Sequence, residues 1–373
     1  MSTSANNTAG PGKRLVRVAI QSVGFLAGLA MLGWCANMAL KEENRTQLER
    51  LLDASPASIA ALVGLCAATL IFNGLIFWAQ IRPVRRLRAS DVIATNAIAT
   101  LMNYLPFKMS LVSRVVIHNR RDGVPVLTIG AWLGAVAVRC FVTVGVVVVA
   151  AMLLGCGTIT WWALVLAGLI AWVVVQWAGA RLFAGERGLA RVRQIADRFG
   201  PAILGKLMRS GAFVNLHAGL DMLAHPGATG TAVAIRLADM LGQAARLVVA
   251  ASVLGETLGW ASAIVLAAGH FFIGVVSPFG MLGTREAGTA GLAGLLTLAA
   301  GASAAEAEAA AASFAVALLM VTAVEAVVTL GAGGLAVAWL RPDRLLKRGV
   351  TGESDPLLSP DAAGTGTNQP DRR

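Results

Sequence analysis

Apolar runs long enough to cross a bilayer recur along almost the whole chain, and they leave it few ways to fold. Inside lipid a backbone must satisfy its own amides and carbonyls, so only helices or a closed barrel can span. These runs have the length of spanning helices, about 20 residues, rather than of tilted strands. Hydrophobic residues fill 57% of the 373 positions, and the mean hydropathy is +0.71. The expected fold is all-α: a polytopic helical membrane protein of about eight transmembrane helices plus broken or re-entrant segments.

The formal charge of +11 would suit a nucleic-acid binder, but Lys and Arg fall in short clusters between the apolar runs. That is the pattern of loops facing an anionic inner leaflet, and no nucleic-acid module accompanies it, so nucleic acid is not the expected partner. Cys35, Cys66, Cys140 and Cys156 form no CxxC or zinc spacing and read as small core residues. His118, His217, His225 and His270 are scattered without metal-ligand spacing, so neither a metal nor a cofactor is expected.

Assigning the basic clusters to the inside gives crossings at about 15–40, 57–81, 125–154, 158–182, 228–254, 258–276, 286–302 and 307–340. Both termini are then cytoplasmic, and the plasma membrane is the expected location. One integral membrane domain, 13–349, is flanked by polar ends at 1–12 and 350–373 that read as disordered. The arginine-rich stretch from Arg181 to Arg209 has the pattern of a helix lying on the inner leaflet, or of a plain topology-setting loop.

Two interruptions stand out. The segment from Asp91 to Ile117 is broken by Asn103-Tyr104-Leu105-Pro106 and has arginines at both ends. A re-entrant hairpin keeps both ends inside, whereas the alternative is a proline-kinked spanning helix. The second break, Ser277 to Gly288, sets Pro278, Gly280 and Gly283 before the adjacent charges Arg285 and Glu286. Unwound backbone at membrane depth survives only where protein buries it or where it lines a wet cavity, so a site is expected there.

The chemistry at the second break follows from its residues. Gly280 and Gly283 allow unusual backbone angles, and Thr284 can cap a helix beginning at Arg285. Free amides and a guanidinium at a helix start would seat an anion, with Glu286 steadying the arginine. The plainer alternative is an Arg285–Glu286 arrangement that only stabilises the turn. Asn103, Lys108 and Arg114 could add donors from the first break, or Lys108 and Arg114 could snorkel. Arg139, Arg236, Asp239, Arg246, His270 and Glu325 should face the bundle interior. Arg236 and Asp239 can pair at i,i+3, while Arg139 and Glu325 have no neighbour of opposite charge in sequence.

These residues resemble the flippase-like membrane region of lysylphosphatidylglycerol synthases and of stand-alone relatives. One family hallmark, Asn followed closely by Leu-Pro-x-Arg-x-Gly-Glu-x-x-Arg, is similar to Asn103, Leu105, Pro106, Lys108 and Arg114, with Ser110 and Leu111 in the Gly and Glu places. The other, a Pro-Gly-Gly-Leu-Gly-x-Arg-Glu-like turn, is similar to Gly280-Met281-Leu282-Gly283-Thr284-Arg285-Glu286, with Phe279 and Met281 as departures. Near Glu325 the family often carries an arginine in its last segments, which this chain lacks.

The resemblance implies movement of an amphiphilic lipid between leaflets: a phospholipid, a glycolipid or a polyprenyl-phosphate-linked sugar, with an anionic headgroup as the expected ligand. No aminoacyl-transferring domain is seen, so no enzyme activity is expected. Two other readings remain at this point. One is an intramembrane lipid-modifying enzyme using Glu286 or Glu325 as base with His270. The other is a non-transporting subunit working with envelope-lipid biosynthesis enzymes.

Overall fold

A computed structural model of the protein describes residues 22, 23, 26, 27, 29–37, 40–105, 109–154, 158–199, 208–277 and 283–341. Among these residues there is helix and no strand. Lys108, Gly280, Pro278, Met281, the 155–157 turn and the polar ends at 1–12 and 350–373 lie outside them.

After the helical residues 29–37 come α1 (Arg45–Leu52), α2 (Pro56–Ile81), α3 (Ala89–Met102), α4 (Met109–Arg120), α5 (Val126–Leu154) and α6 (Ile159–Phe183). Then follow α7 (Gly185–Phe199), α8 (Gly211–Ala224), α9 (Pro226–Val253), α10 (Trp260–Val276), α11 (Thr284–Ala299) and α12 (Ala304–Leu340). By length and composition α2, α5, α6 and α12 can each cross a membrane. Helix α9 is as long but carries Arg236, Asp239 and Arg246, which turn inward and are buried.

Local chemistry sets the starts. Ser55, Thr158 and Ser210 each accept a hydrogen bond from the backbone three residues on, and Ser303 and Glu306 cap α12 reciprocally. His225 caps α9 in the same way, its ring accepting from the Ala228 amide ahead of Pro226 at the first turn. Helices α1 and α8 go beyond the expected crossings. Each is too short to span, which is why apolar length alone does not reveal it.

The segment from 91 to 117 is a hairpin. Asp91 near the start of α3 pairs with Arg121 just past α4 at 2.8 Å, and Arg114 reaches back to Asn96 at 2.6 Å. A kinked spanning helix would hold those ends far apart. Helices α10 and α11 also fold back on each other: His270 meets Thr289, and Ile273 packs on Gly288. The expected crossings at 258–276 and 286–302 are thus two arms of one hairpin.

Helix α12 measures both hairpins. Trp339 near its end bonds Asp91 at the mouth of α3–α4, while Ala307 near its start meets Gly294 toward the end of α11. The hairpins therefore enter from opposite ends of α12 and point at each other. Glu325 lies 17 residues after Glu308 and 16 before Arg341, about 25 Å along the helix from either. Arg285 at the start of α11 and Tyr104 just past α3 come to that level.

The order long helix, hairpin, long helix occurs twice, as α2, α3–α4, α5 and as α9, α10–α11, α12. Cys66 contacts Arg246 and Thr69 lies near Gly242, so α2 and α9 run antiparallel and the two units are inverted. Such units can share a structure without a repeat legible at the residue level.

Close approach of α2 to α3 depends on Gly74, where an added Cβ would lie 2.8 Å from the Ile93 backbone. Gly74→Ala is expected to destabilise the protein by about 1–3 kcal/mol, whereas Gly64→Ala, with open space around it, should not. Thermal unfolding of the two purified variants checks this.

Candidate functional site

Gly283, at the end of the second break, has a φ of +79°, which suits glycine. Helix α11 begins at Thr284, and its third residue, Glu286, returns its Oε2 to accept the Gly283 amide at 2.7 Å. A carboxylate in the first turn also suits the positive end of the helix dipole. Oε1 of Glu286 accepts from the Thr322 hydroxyl at 2.9 Å and from Nε and Nη2 of Arg285 at 3.2 and 3.1 Å.

Arg285 then crosses to α12, where Nη1 donates to Glu325 Oε1 at 3.1 Å. The other oxygen of Glu325 faces Nη1 of Arg246 on α9 at 3.4 Å, and Arg246 also touches the Cys66 sulfur of α2 at 3.5 Å. One chain of contacts thus links α11, α12, α9 and α2. Glu286, Arg285 and Arg246 are buried, while the Glu325 side chain keeps 17% of its surface exposed. Two arginines and two glutamates balance, as interior charge requires.

This geometry corrects one expectation. The Gly283 amide and the Arg285 guanidinium are not offered bare to a ligand, because Glu286 takes the first and Glu286 with Glu325 takes the second. An unpaired charge at this depth would be far costlier than a paired one.

The first break joins the cluster through a residue that sequence reasoning quoted but did not select. Tyr104, the single tyrosine of the chain, lies near Glu325, Arg285 and Thr329, and its hydroxyl has no hydrogen-bond partner among the described residues. Its uniqueness was the available signal. Asn103, half-buried, only ends α3. Arg114 stands apart on α4, bonded to Asn96 and lying 4.0 Å over the Phe77 ring.

The other polar residues form separate groups. Arg236 pairs with Asp239, which also accepts from Gln243 at 2.9 Å, and Arg236 lies 3.9 Å over Phe271. Arg139 is fully buried and donates to the Met222 carbonyl at 3.1 Å, a carbonyl that Gln80 also uses. Its Nε and Nη1 have no partner among the described residues. His270 contacts Thr289, whose hydroxyl donates to the Arg285 carbonyl, so Nδ1 carries the proton. Five arginines (114, 139, 236, 246 and 285) face three acids (Asp239, Glu286 and Glu325), leaving Arg114 and Arg139 without an acid partner among the described residues. No cluster of metal ligands occurs among the described residues.

The family model described as lysylphosphatidylglycerol synthase TM region matches residues 21–324, which takes in both breaks and stops one residue before Glu325. No curated protein and no solved structure matches the chain.

Removing Glu286 would leave Arg285 only the Glu325 carboxylate, already shared with Arg246, and would uncap α11. Glu286→Ala is expected to cost about 3–5 kcal/mol, and Thr322→Val, which removes one hydrogen bond, only about 1 kcal/mol. Unfolding of the purified variants in detergent measures the difference.

Proposed function

Because the chain belongs to the lysylphosphatidylglycerol synthase TM region family, a membrane family tied to lipid metabolism or translocation, we propose that it moves a lipid with an anionic headgroup between leaflets. The observation that carries this reading is the meeting of two opposed hairpin tips at a buried charge cluster halfway along α12. Broken helices facing each other from inverted units are the arrangement in which transporters place a binding site near the midplane.

The sign of the ligand follows from the charge surplus. Arg114 and Arg139 lack acid partners among the described residues and favour a negative headgroup in transit. With the clusters around Arg82–Arg88 and after Arg181 on the cytoplasmic side of the plasma membrane, hairpin α3–α4 enters from the cytoplasm and α10–α11 from the opposite face. Each hairpin then closes one side of a shared path, and opening them in turn would pass a headgroup while its tails stay in lipid.

Chemistry on the lipid finds less support. Both candidate bases, Glu286 and Glu325, are engaged by guanidinium groups, and His270 rests on Thr289 rather than against either acid. A general acid–base pair needs its members within reach of one reacting atom.

Reconstitution tests the proposal. Purified protein in liposomes is expected to move labelled phosphatidylglycerol or a polyprenyl phosphate faster than labelled phosphatidylcholine, and Arg114→Gln should slow that movement several-fold. Failure to move any phospholipid, glycolipid or polyprenyl phosphate would refute translocation by this protein alone.

A further inference from the structure

The two arginines of the cluster are unequally satisfied. Arg285 makes three hydrogen bonds of 3.1–3.2 Å to two carboxylates. Arg246 has longer contacts, 3.4 Å to Glu325 and 3.5 Å to the Cys66 sulfur, and its Nε has no partner although the residue is only 4% exposed. Its carboxylate is shared with Arg285, and a thiol sulfur is a weak acceptor. A planar guanidinium is best served by two oxygens on one group, which this arrangement does not supply. Glu325, which contacts Arg246, is the most exposed member of the cluster, its side chain keeping 17% of its surface.

We propose that Arg246 receives the phosphate group of a lipid headgroup, and that Glu325 is an internal carboxylate holding the place of that phosphate until lipid arrives. This rests on the translocation reading and names the residue at its centre. Entry of the phosphate releases Oε2 of Glu325 from Arg246, while Oε1 stays with Arg285, so the α11–α12 link persists. The phosphate gives Arg246 the second oxygen and an acceptor for Nε. It adds negative charge to an interior in which arginines exceed acids.

The contact between Glu325 and Arg246 thus competes with the ligand, which gives the two residues opposite effects on binding. A purely structural pair would show the same sign for both. Calorimetric titration of the purified full chain in a neutral detergent, with short-chain phosphatidylglycerol as probe, reads this directly. Glu325→Gln is expected to bind about tenfold more tightly and Arg246→Gln about tenfold more weakly, with the double variant resembling Arg246→Gln. Arg246→Lys keeps the charge and should still bind several-fold more weakly because the fork is lost.

Weaker binding by Glu325→Gln, or wild-type binding by Arg246→Lys, would overturn the proposal. A second arm uses inorganic phosphate: a response only to the lipid supports a headgroup site, and an equal response to both would assign the site to free phosphate instead. Binding with the expected signs in a protein that moves no lipid would refute translocation and leave this assignment standing. Lipid movement unaffected by Arg246→Lys would refute this assignment alone.

Discussion

Glu325 gives one oxygen to Arg285 on α11 and the other to Arg246 on α9, and the arrangement of the whole centre depends on that divided carboxylate. None of these charges could face hydrocarbon without a large cost, so each constrains where the others must be. Arg285 can reach Glu325 only if the break after α10 brings the start of α11 to the middle of α12. Glu286 fixes that start by holding the Gly283 amide and the Arg285 guanidinium together. The turn and the cluster are one structural unit.

The same constraint accounts for the inverted arrangement. A hairpin tip leaves backbone groups without helical partners, and at membrane depth those groups need protein or water around them. The described ends of the two hairpins approach from opposite ends of α12, with Tyr104 on one side near Glu325 and Arg285 on the other bonded to it. Small residues permit the approach: Gly333 lies against Leu101 of α3, and Gly294 against Ala307 at the start of α12. The approach leaves a buried polar centre where Arg285, Glu286, Glu325 and Arg246 meet.

Much of this was legible in the chain. Apolar length located α2, α5, α6, α9, α10, α11 and α12 to within a few residues, since hydropathy reports burial in lipid directly. The arginines at both ends of the 91–117 segment pointed to a hairpin, and the Asp91–Arg121 pair closes it. Helix α8 escaped because 14 residues are too few for a span. The partners of Arg285 escaped for a different reason. Glu325 is 40 residues away and Arg246 meets Glu325 across 79, and no local pattern encodes such contacts. Sequence spacing therefore suggested an exposed anion seat at Arg285, while folding supplies that arginine with carboxylates and leaves Arg246 the less satisfied.

A density map of the protein in nanodiscs containing phosphatidylglycerol would show where a headgroup rests. An ordered phosphate is expected beside Arg246, with Glu325 turned wholly to Arg285 and Tyr104 and Arg285 at that level. Lipid headgroups found only at the bilayer surfaces, with Glu325 still closed on both arginines in every class of particle, would contradict that placement.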